Sequence, residues 1–364
     1  MIERSAPFNF SAGPAMLPVE VMQQAAAEFT NWHNLGVSIA EISHRSKDFE
    51  NIVAQSKQDL RDLLNIPSNY HILFLAGGAR TQFASVPMNL LDDYSKAAYV
   101  QTGYWGKTAG VEASRYCSVK TIATNAENPT TIPDPATWQD FSDCAYLHYV
   151  DNETIEGIEF DFIPDAKNMP LVCDMSSNIL SRPFDVSKFG LIYASAQKNI
   201  SISGITVAII RDDLLSRKKI ATIPSIMDYS LQVKANSLYN TVPTYPWYLA
   251  GLVFQWIKKQ GGVAELAKKN AEKAKRLYDY LDSQNFYRNS VEKRFRSRMN
   301  VIFKCPTPEQ DVQFYQEAEK AGLLYLKGHR VLGGIRASIY NAMPLEGVER
   351  LIAFMKSFSD GKSK

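Results

Sequence analysis

Short apolar runs alternate with longer helix-like stretches over the first two thirds of the chain. The runs lack strict polar alternation, which is typical of strands buried on both faces, as in a parallel sheet covered by helices. Strand and helix patterns that alternate in this way predict an α/β architecture. The runs predict strands at residues 71–76, 97–100, 145–150, 171–174, 191–194 and 205–210.

The pattern changes after Gly261 and Gly262, where a stretch rich in Lys, Glu, Ala and Leu begins. This change places a domain boundary near residues 262–270. The part that follows predicts a mixed α+β unit, while the short N-terminal segment could pack on either part. Helices are predicted at 263–281, 312–321 and 346–358, with strands at 299–304 and 335–339. The predicted units are an N-terminal segment (1–15), a large domain (16–265) and a small C-terminal domain (266–364).

Composition and charge exclude several classes of protein. With 364 residues, 45% hydrophobic and 21% charged, the chain is too apolar for intrinsic disorder. Because 40 basic residues face 38 acidic ones, a general nucleic-acid partner is not expected. There is no run of 18 apolar residues and no apolar stretch near the N-terminus, so we predict no membrane span and no signal peptide.

Cysteine and histidine spacing bears on the compartment and on metals. Cys117, Cys144, Cys173 and Cys305 share no CxxC spacing, which favours reduced thiols and a cytoplasmic protein. The five histidines form no HExxH pair, so no metal is predicted. A Gly-Lys-Thr sequence at 106–108 lacks the glycine that a P-loop needs at Gln101. No GxGxxG follows a strand, so a nicotinamide site is unsupported.

Two residues at the ends of predicted strands carry the most informative chemistry. Asp174 ends one apolar run, and Lys198 stands just past another. Ligands of open parallel sheets bind at the carboxyl ends of strands. There, a lysine amine could form a Schiff base with pyridoxal 5′-phosphate, and a carboxylate could keep the pyridine nitrogen protonated. Taken singly, Asp174 would be a turn or cap residue and Lys198 a solvated charge.

Longer motifs around these residues resemble those of the phosphoserine aminotransferases, which are class-V, fold-type I pyridoxal phosphate enzymes. The resemblance covers nearly the whole chain. It implies a large, mostly parallel seven-stranded sheet domain flanked by helices, plus a smaller α+β C-terminal domain. The motifs are Phe8-Asn9-Phe10-Ser11-Ala12-Gly13-Pro14-Ala15-Met16-Leu17-Pro18, Ser43-His44-Arg45-Ser46-Lys47, Gln197-Lys198-Asn199, Lys327-Gly328-His329-Arg330 and Arg336-Ala337-Ser338-Ile339-Tyr340-Asn341-Ala342.

The resemblance implies a role for each residue of a cofactor site. Lys198 would be the catalytic Schiff-base lysine, with a lowered pKa, and Asp174 would pair with the ring nitrogen. Trp105 would stack on the ring, although core packing is its ordinary role, and Thr154 would donate to the ring oxygen. The cofactor phosphate would be bound by Ala79, Arg80 and Gln197, and by Asn240 and Thr241 from the other subunit of a homodimer.

A set of cationic residues is implied for substrate binding. Arginine binds carboxylate and phosphate through paired hydrogen bonds, a geometry that lysine cannot copy. Arg336 would bind the α-carboxylate of the substrate. The distal anion would contact His44, Arg45, Arg80, His329 and Arg330. Without the resemblance, exposed His-Arg pairs would be ordinary surface charge.

The implied reaction converts O-phospho-L-serine and 2-oxoglutarate to 3-phosphooxypyruvate and L-glutamate by ping-pong transamination. Serine biosynthesis would follow, with 4-phosphohydroxy-L-threonine as a second substrate in pyridoxine biosynthesis. Two departures are Ala79, where many members have glycine, and Ser201-Ile202-Ser203 after Lys198. Two alternatives stay open: a lyase such as a cysteine desulfurase, and a catalytically inactive binding relative.

Overall fold

A computed structural model describes residues 7–362 of the chain. Its strands and helices alternate through the first part of the sequence. The strands are β1 (Phe8–Asn9), β2 (Tyr70–Ala76), β3 (Lys96–Gln101), β4 (Ser118–Thr124), β5 (Leu147–Val150), β6 (Asn152–Glu153), β7 (Ile158–Glu159), β8 (Leu171–Asp174), β9 (Leu191–Ser195), β10 (Ile205–Arg211), β11 (Asn300–Phe303), β12 (Leu323–Leu324) and β13 (Ile335–Ser338).

The helices lie against both faces of a central sheet and around a second core. The described α-helices are α1 (Val19–Glu28), α2 (Lys47–Leu64), α3 (Ala79–Leu90), α4 (Tyr104–Ala113), α5 (Tyr229–Lys234), α6 (Thr244–Lys259), α7 (Gly262–Asp282), α8 (Pro308–Lys320) and α9 (Leu345–Lys362). Short polar residues begin several of them, as when the Ser46 hydroxyl accepts from the Phe49 amide at the start of α2.

The central sheet has seven strands in the order β2-β10-β9-β8-β5-β3-β4, so the predicted α/β sheet is confirmed. Successive side chains of β2 point to opposite faces. Ile72 and Phe74 pack in the apolar cluster that includes helix α6, whereas Leu73 and Leu75 pack with helix α3. Burial on both faces explains why the strand sequences are nearly continuous in apolar residues.

The sheet is mostly parallel, as predicted, but two of its strands could not be described fully from the sequence pattern. β10 is antiparallel to both of its neighbours, β2 and β9. Its run is buried on both faces, so hydrophobicity alone does not reveal its direction, but its short connection to β9 requires an antiparallel pair. The prediction also missed β4, an edge strand with a partly exposed, polar sequence.

A second apolar cluster forms around the two-stranded sheet of β11 and β13. Phe8 and Phe10 belong to this cluster, and β1 pairs with β12, so residues 8–10 pack with the C-terminal part. Helix α7 contacts both clusters: Leu266 lies in the first and Leu277 in the second. The proposed boundaries between the units stay predictions.

No helix within residues 7–362 has both the length and the apolar composition that crossing a bilayer requires.

Candidate active site

A cavity of about 310 Å³ opens where three central strands end. Val150, Asp174 and Ser195 are the last residues of β5, β8 and β9, and all three line the cavity. The structure brings together most of the predicted cofactor residues at this carboxyl edge. The lining comprises Ala79, Arg80, Trp105, Thr154, Asp174, Gln197 and Lys198, together with Gly78, Val150, Asn152, Ser176, Ser177 and Ser195.

Lys198 lies in the loop between β9 and β10, with its amine directed at the cavity wall. Its Nζ donates to Thr154 Oγ1 at 2.7 Å. The pKa of Lys198 is lowered to about 8, mainly by burial; the Asp174 and Glu153 carboxylates raise it, and the charge of Arg336 lowers it. A lysine with this pKa presents much more neutral amine near pH 7 than an exposed lysine does.

Asp174 ends β8 with its carboxylate at the cavity. Oδ1 accepts from the Ser176 amide at 2.8 Å. Burial raises the pKa of Asp174, while the bonds from Ser176 and the charge of Lys198 oppose the rise. A protonated ring nitrogen would give Asp174 a second positive neighbour beside Lys198, and an adjacent cation favours the ionised form of the Asp174 carboxyl group.

The start of helix α3 forms a cradle that fits an anion. Gly78 is the N-cap residue and provides no side-chain acceptor for the first helical turn, which begins at Ala79. Unpaired amides and the helix dipole attract anions at such a position. Gly77 has φ +99°, and a Cβ there would lie 2.9 Å from Thr81 Oγ1, so this turn requires glycine.

Trp105 forms one wall of the cavity. The Arg80 guanidinium lies 5.4 Å from the centroid of the indole ring. The Trp105 Nε1 is buried and has no hydrogen-bond partner among the described residues. A buried indole N–H without a partner fits a site that a bound polar molecule completes.

The N-terminal motif packs directly on the Lys198 loop. The Ala15 amide donates to the Gln197 carbonyl at 2.8 Å. The Tyr340 hydroxyl donates to the Ala12 carbonyl at 2.9 Å, which ties the same segment to the C-terminal part. The Phe8–Pro18 motif therefore positions the loop that carries the lysine.

A neighbouring cavity of about 460 Å³ contains two of the predicted substrate residues, Arg336 and His329. Burial lowers the pKa of Arg336, and the Glu156 carboxylate opposes this. The pKa of His329 is also lowered, first by burial and then by Arg336 and Arg330. Since Arg336 affects the pKa of Lys198, the two cavities are electrostatically linked.

The remaining predicted residues do not line either cavity in the single chain. Arg45 and Arg330 are exposed, and His44 has a buried Nε2 without a partner among the described residues. Asn240 and Thr241 lie in the segment between α5 and α6. Their expected contributions come across a subunit interface, so these roles stay predictions.

Sequence reasoning missed several residues that shape the site. Glu153 and Glu156 accept hydrogen bonds from the first turn of helix α4, which carries Trp105. Asn152 donates to Ser177 Oγ at 2.7 Å and to Asn300 Oδ1 at 2.8 Å, joining the cavity to the C-terminal sheet. The sequence signal for these residues is a polar, acidic stretch that directly follows a buried strand. Such a stretch ordinarily predicts an exposed turn, so it does not by itself indicate a site.

No group of three or more His, Cys, Asp or Glu side chains in the part of the chain that the structure describes could hold a metal ion. The arrangement instead combines an amine of lowered pKa, a buried carboxylate, an aromatic wall and an anion cradle. The donor set fits pyridoxal 5′-phosphate, for which each of these four features has a partner group.

Comparisons with known proteins agree with this chemistry. Residues 7–351 match the family described as aminotransferase class-V. A phosphoserine aminotransferase of Coxiella burnetii (strain CbuG_Q212) is 54% identical over 353 residues, covering 96% of this chain and 98% of the relative. The solved phosphoserine aminotransferase of Bacillus circulans subsp. alkalophilus has a TM-score of 0.95 at 43% identity, covering 99% of this chain and 100% of the other. A pyridoxal phosphate-bound phosphoserine aminotransferase of Trichomonas vaginalis has a TM-score of 0.93 at 43% identity, covering 96% and 99%.

Proposed function

The chain belongs to the class-V aminotransferase family, and from that premise we propose that it transfers the amino group of O-phospho-L-serine to 2-oxoglutarate. The products are 3-phosphooxypyruvate and L-glutamate. The observation that carries this proposal is the placement of Lys198 and Asp174 in one cavity at the carboxyl edge of the sheet. Related phosphoserine aminotransferases that align over nearly the whole chain support the choice of substrate.

Pyridoxal 5′-phosphate, when bound, supplies an aldehyde for the substrate amine and a ring that accepts electron density from the α-carbon. Lys198 Nζ would take the proton from the α-carbon of the amino acid and deliver it to the carbon atom of the cofactor that receives the amino group. Its lowered pKa makes the neutral, proton-accepting amine available near neutral pH. The Thr154 hydroxyl, 2.7 Å from Nζ, orients this amine.

The other cavity residues hold the cofactor in place. The Asp174 carboxylate would accept a hydrogen bond from the protonated ring nitrogen, and its burial would strengthen that interaction. Trp105 would stack on the ring. The amides at Ala79 and Arg80, with the Gln197 side chain, would donate to the phosphate.

The two substrates use the same cationic groups in successive half-reactions, since each has an α-carboxylate and a second anionic end. Arg336 binds the α-carboxylate, and Arg80, His329, Arg330, His44 and Arg45 contact the distal anion. Each charge-assisted hydrogen bond contributes about 1.5–3 kcal/mol. Two such bonds would favour phosphoserine over alanine by roughly 10²- to 10⁴-fold. The same groups would accept 4-phosphohydroxy-L-threonine.

A homodimer completes the proposed site, with Asn240 and Thr241 reaching the cofactor phosphate of the other subunit. Light scattering after gel filtration tests this assembly, and a monomeric active enzyme would contradict it.

The proposed compartment is the cytoplasm, where the four free cysteines would stay reduced. The proposed pathways are serine and pyridoxine biosynthesis.

A half-reaction titration tests the function. Phosphoserine added to the cofactor-loaded protein should convert the visible absorbance to that of the amine form of the cofactor, whereas alanine at equal concentration should not. Lys198→Ala should give no conversion with either. Conversion by alanine but not by phosphoserine would show that the substrate is wrong, and a wild-type protein that binds no cofactor would overturn the whole proposal.

The cysteine desulfurase alternative has less physical support. That reaction needs a mobile, nucleophilic cysteine, whereas burial raises the pKa of all four thiols. Sulfide release from cysteine would favour the desulfurase.

The other alternative is a catalytically inactive binding relative. A coupled turnover assay separates it from an active aminotransferase.

A further inference from the structure

The first turn of helix α4 is held by two buried carboxyl groups. Glu153 Oε2 accepts from the Trp105 amide at 3.0 Å, and Oε1 accepts from the Gly106 amide at 2.8 Å. Glu156 Oε1 accepts from the Tyr104 amide at 2.9 Å. The N-cap residue Gly103 provides no side-chain cap. Three amides that the helix itself cannot satisfy are thus satisfied from the β6–β7 hairpin and its turn.

Gly103 brings the two carboxyl groups together. A Cβ atom on Gly103 would lie 2.6 Å from both Glu153 Cδ and Glu156 Oε2. These two atoms are therefore separated by at most twice that distance. Glu153 is 1% exposed and Glu156 is 8% exposed, so water screens the pair very little. Two ionised carboxylates this close and this buried would repel each other strongly.

One oxygen of the pair lacks a partner. Both oxygens of Glu153 accept amide hydrogens, but Glu156 Oε2 is buried and has no hydrogen-bond partner among the described residues. A buried carboxylate oxygen without a donor is costly. A proton on Glu156 Oε2 would remove this cost, because it turns the unpartnered acceptor into an O–H donor that lies within twice 2.6 Å of Glu153 Cδ.

We propose that Glu153 and Glu156 share a single proton, carried on Glu156 Oε2 and donated to the Glu153 carboxylate, and that the pair is the positioning device for Trp105. Two consecutive residues contact two different parts of the site. Glu153 accepts from the helix that carries Trp105, and the next residue, Thr154, contacts Lys198. The assignment of Trp105 as a cofactor contact rests on the proposed function.

The surrounding charges agree with one proton on the pair. Burial raises the pKa of Glu153 well above its usual range, and both Glu156 and Asp174 raise it further. Burial also raises the pKa of Glu156, against the opposing charge of Arg336. With the proton on Glu156, Glu153 keeps its negative charge and still raises the pKa of Lys198, so the pair adds one negative charge, not two, to the surroundings of the lysine.

Two matched substitutions distinguish the partners. Glu156→Gln keeps an acceptor for the Tyr104 amide and replaces the O–H donor with an N–H donor, so cofactor affinity should stay within about threefold of wild type. Glu153→Gln places an N–H₂ group against an amide donor at Trp105 or Gly106. We expect its dissociation constant for pyridoxal phosphate to rise at least about tenfold. Glu127→Gln, at an exposed carboxylate, is the control.

A double-substitution cycle tests whether Glu153 acts through Trp105. If the two residues act independently, Glu153→Gln should weaken cofactor binding as much in a Trp105→Phe background as in wild type. If the main role of Glu153 is to place the indole, the same substitution should cause little further loss of affinity in that background. A full additional loss in that background would overturn the positioning role.

The pH dependence of the melting temperature, measured on cofactor-free protein, tests the shared proton. The native pair holds a proton that the unfolded chain releases above the ordinary glutamate pKa of 4.5. The contribution of the pair to stability is therefore lost as pH rises from 4.5 through the raised pKa. Glu156→Gln removes this titration, so its melting temperature relative to wild type should increase over that window.

Parallel pH profiles for wild type and Glu156→Gln, or equal effects of the two glutamine substitutions on cofactor affinity, would overturn the proposal. If Glu153→Gln does not fold, the pH profile of Glu156→Gln still decides. Because that measurement needs neither substrate nor turnover, it separates failure of this inference from failure of the proposed reaction.

Discussion

At the scale of single residues, Gly103 and Glu153 show how the site depends on contacts between distant parts of the chain. Only the three-dimensional approach of β6 to helix α4 brings this glycine and this carboxylate together. No spacing along the sequence predicts such a contact, whereas Asp174 and Lys198 were predictable because each follows a buried apolar run and has a reactive side chain.

Gly13 gives a residue-scale prediction. It has φ +141°, and a Cβ there would lie 3.3 Å from Gln197 Cγ and 3.5 Å from Lys198 Cγ. Gly13→Ala should therefore cost about 1–2 kcal/mol of stability and also weaken cofactor binding by moving the lysine loop. Gly36→Ala is the matched control, since φ is +76° and no atom lies within 4 Å. Chemical denaturation and cofactor titration measure the two effects, and equal cofactor affinities in both variants would contradict the expected link to Lys198.

At the scale of elements, periodicity predicted the buried strands and the long helix α7, but it left out the amphipathic helix α2 and the partly exposed edge strand β4. Helix α7 was predicted almost to its ends because charged residues cover its outer side. Helix α6 was missed: most of its residues from Trp247 to Ile257 are buried, so its sequence lacks the polar stripe that marks a helix. The direction of β10 was likewise hidden by burial on both faces.

Lys273 gives an element-scale prediction. It is 2% exposed, and its Nζ donates to the backbone carbonyls of Ile339, Tyr340 and Met343 at 2.7–3.0 Å. Lys273→Met should lower the free energy of unfolding by about 2–3 kcal/mol, because three carbonyls lose their donor. Lys269→Met on the same helix should change it by no more than about 0.5 kcal/mol, since Lys269 is exposed. Urea denaturation measures both, and similar losses would show that the three bonds contribute little.

At the scale of the whole molecule, the sequence indicated a change of texture near Gly261 but not how the parts connect. The N-terminal segment crosses from the Lys198 loop to the second core, where Phe8 and Phe10 are buried. Such long-range packing leaves no local pattern, because the partners of these residues lie more than 300 positions away.

Phe10 tests this connection. The side chain is fully buried in the second core, and the backbone bonds to Leu324 and Ser338. Phe10→Ala should destabilise the protein by about 3–5 kcal/mol through loss of burial and the cavity left behind. Phe29→Ala, at a ring 44% exposed, should cost far less. Thermal unfolding compares the two, and a small effect at Phe10 would show that the segment docks only weakly on the second core.

Helix α7 also has a mechanical consequence. Its 21 residues form a rod about 31 Å long, with Leu266 set in one core and Leu277 in the other. Because the helix is packed into both cores, a tilt of the helix in one core moves the residues that it carries in the other. A tilt of about 3° at one end would shift the other end by about 1.6 Å, more than the 1 Å misplacement that can slow a reaction about a hundredfold. Arg336 lies on strand β13 of the second core, so its position relative to Lys198 depends on how firmly both ends of helix α7 are packed.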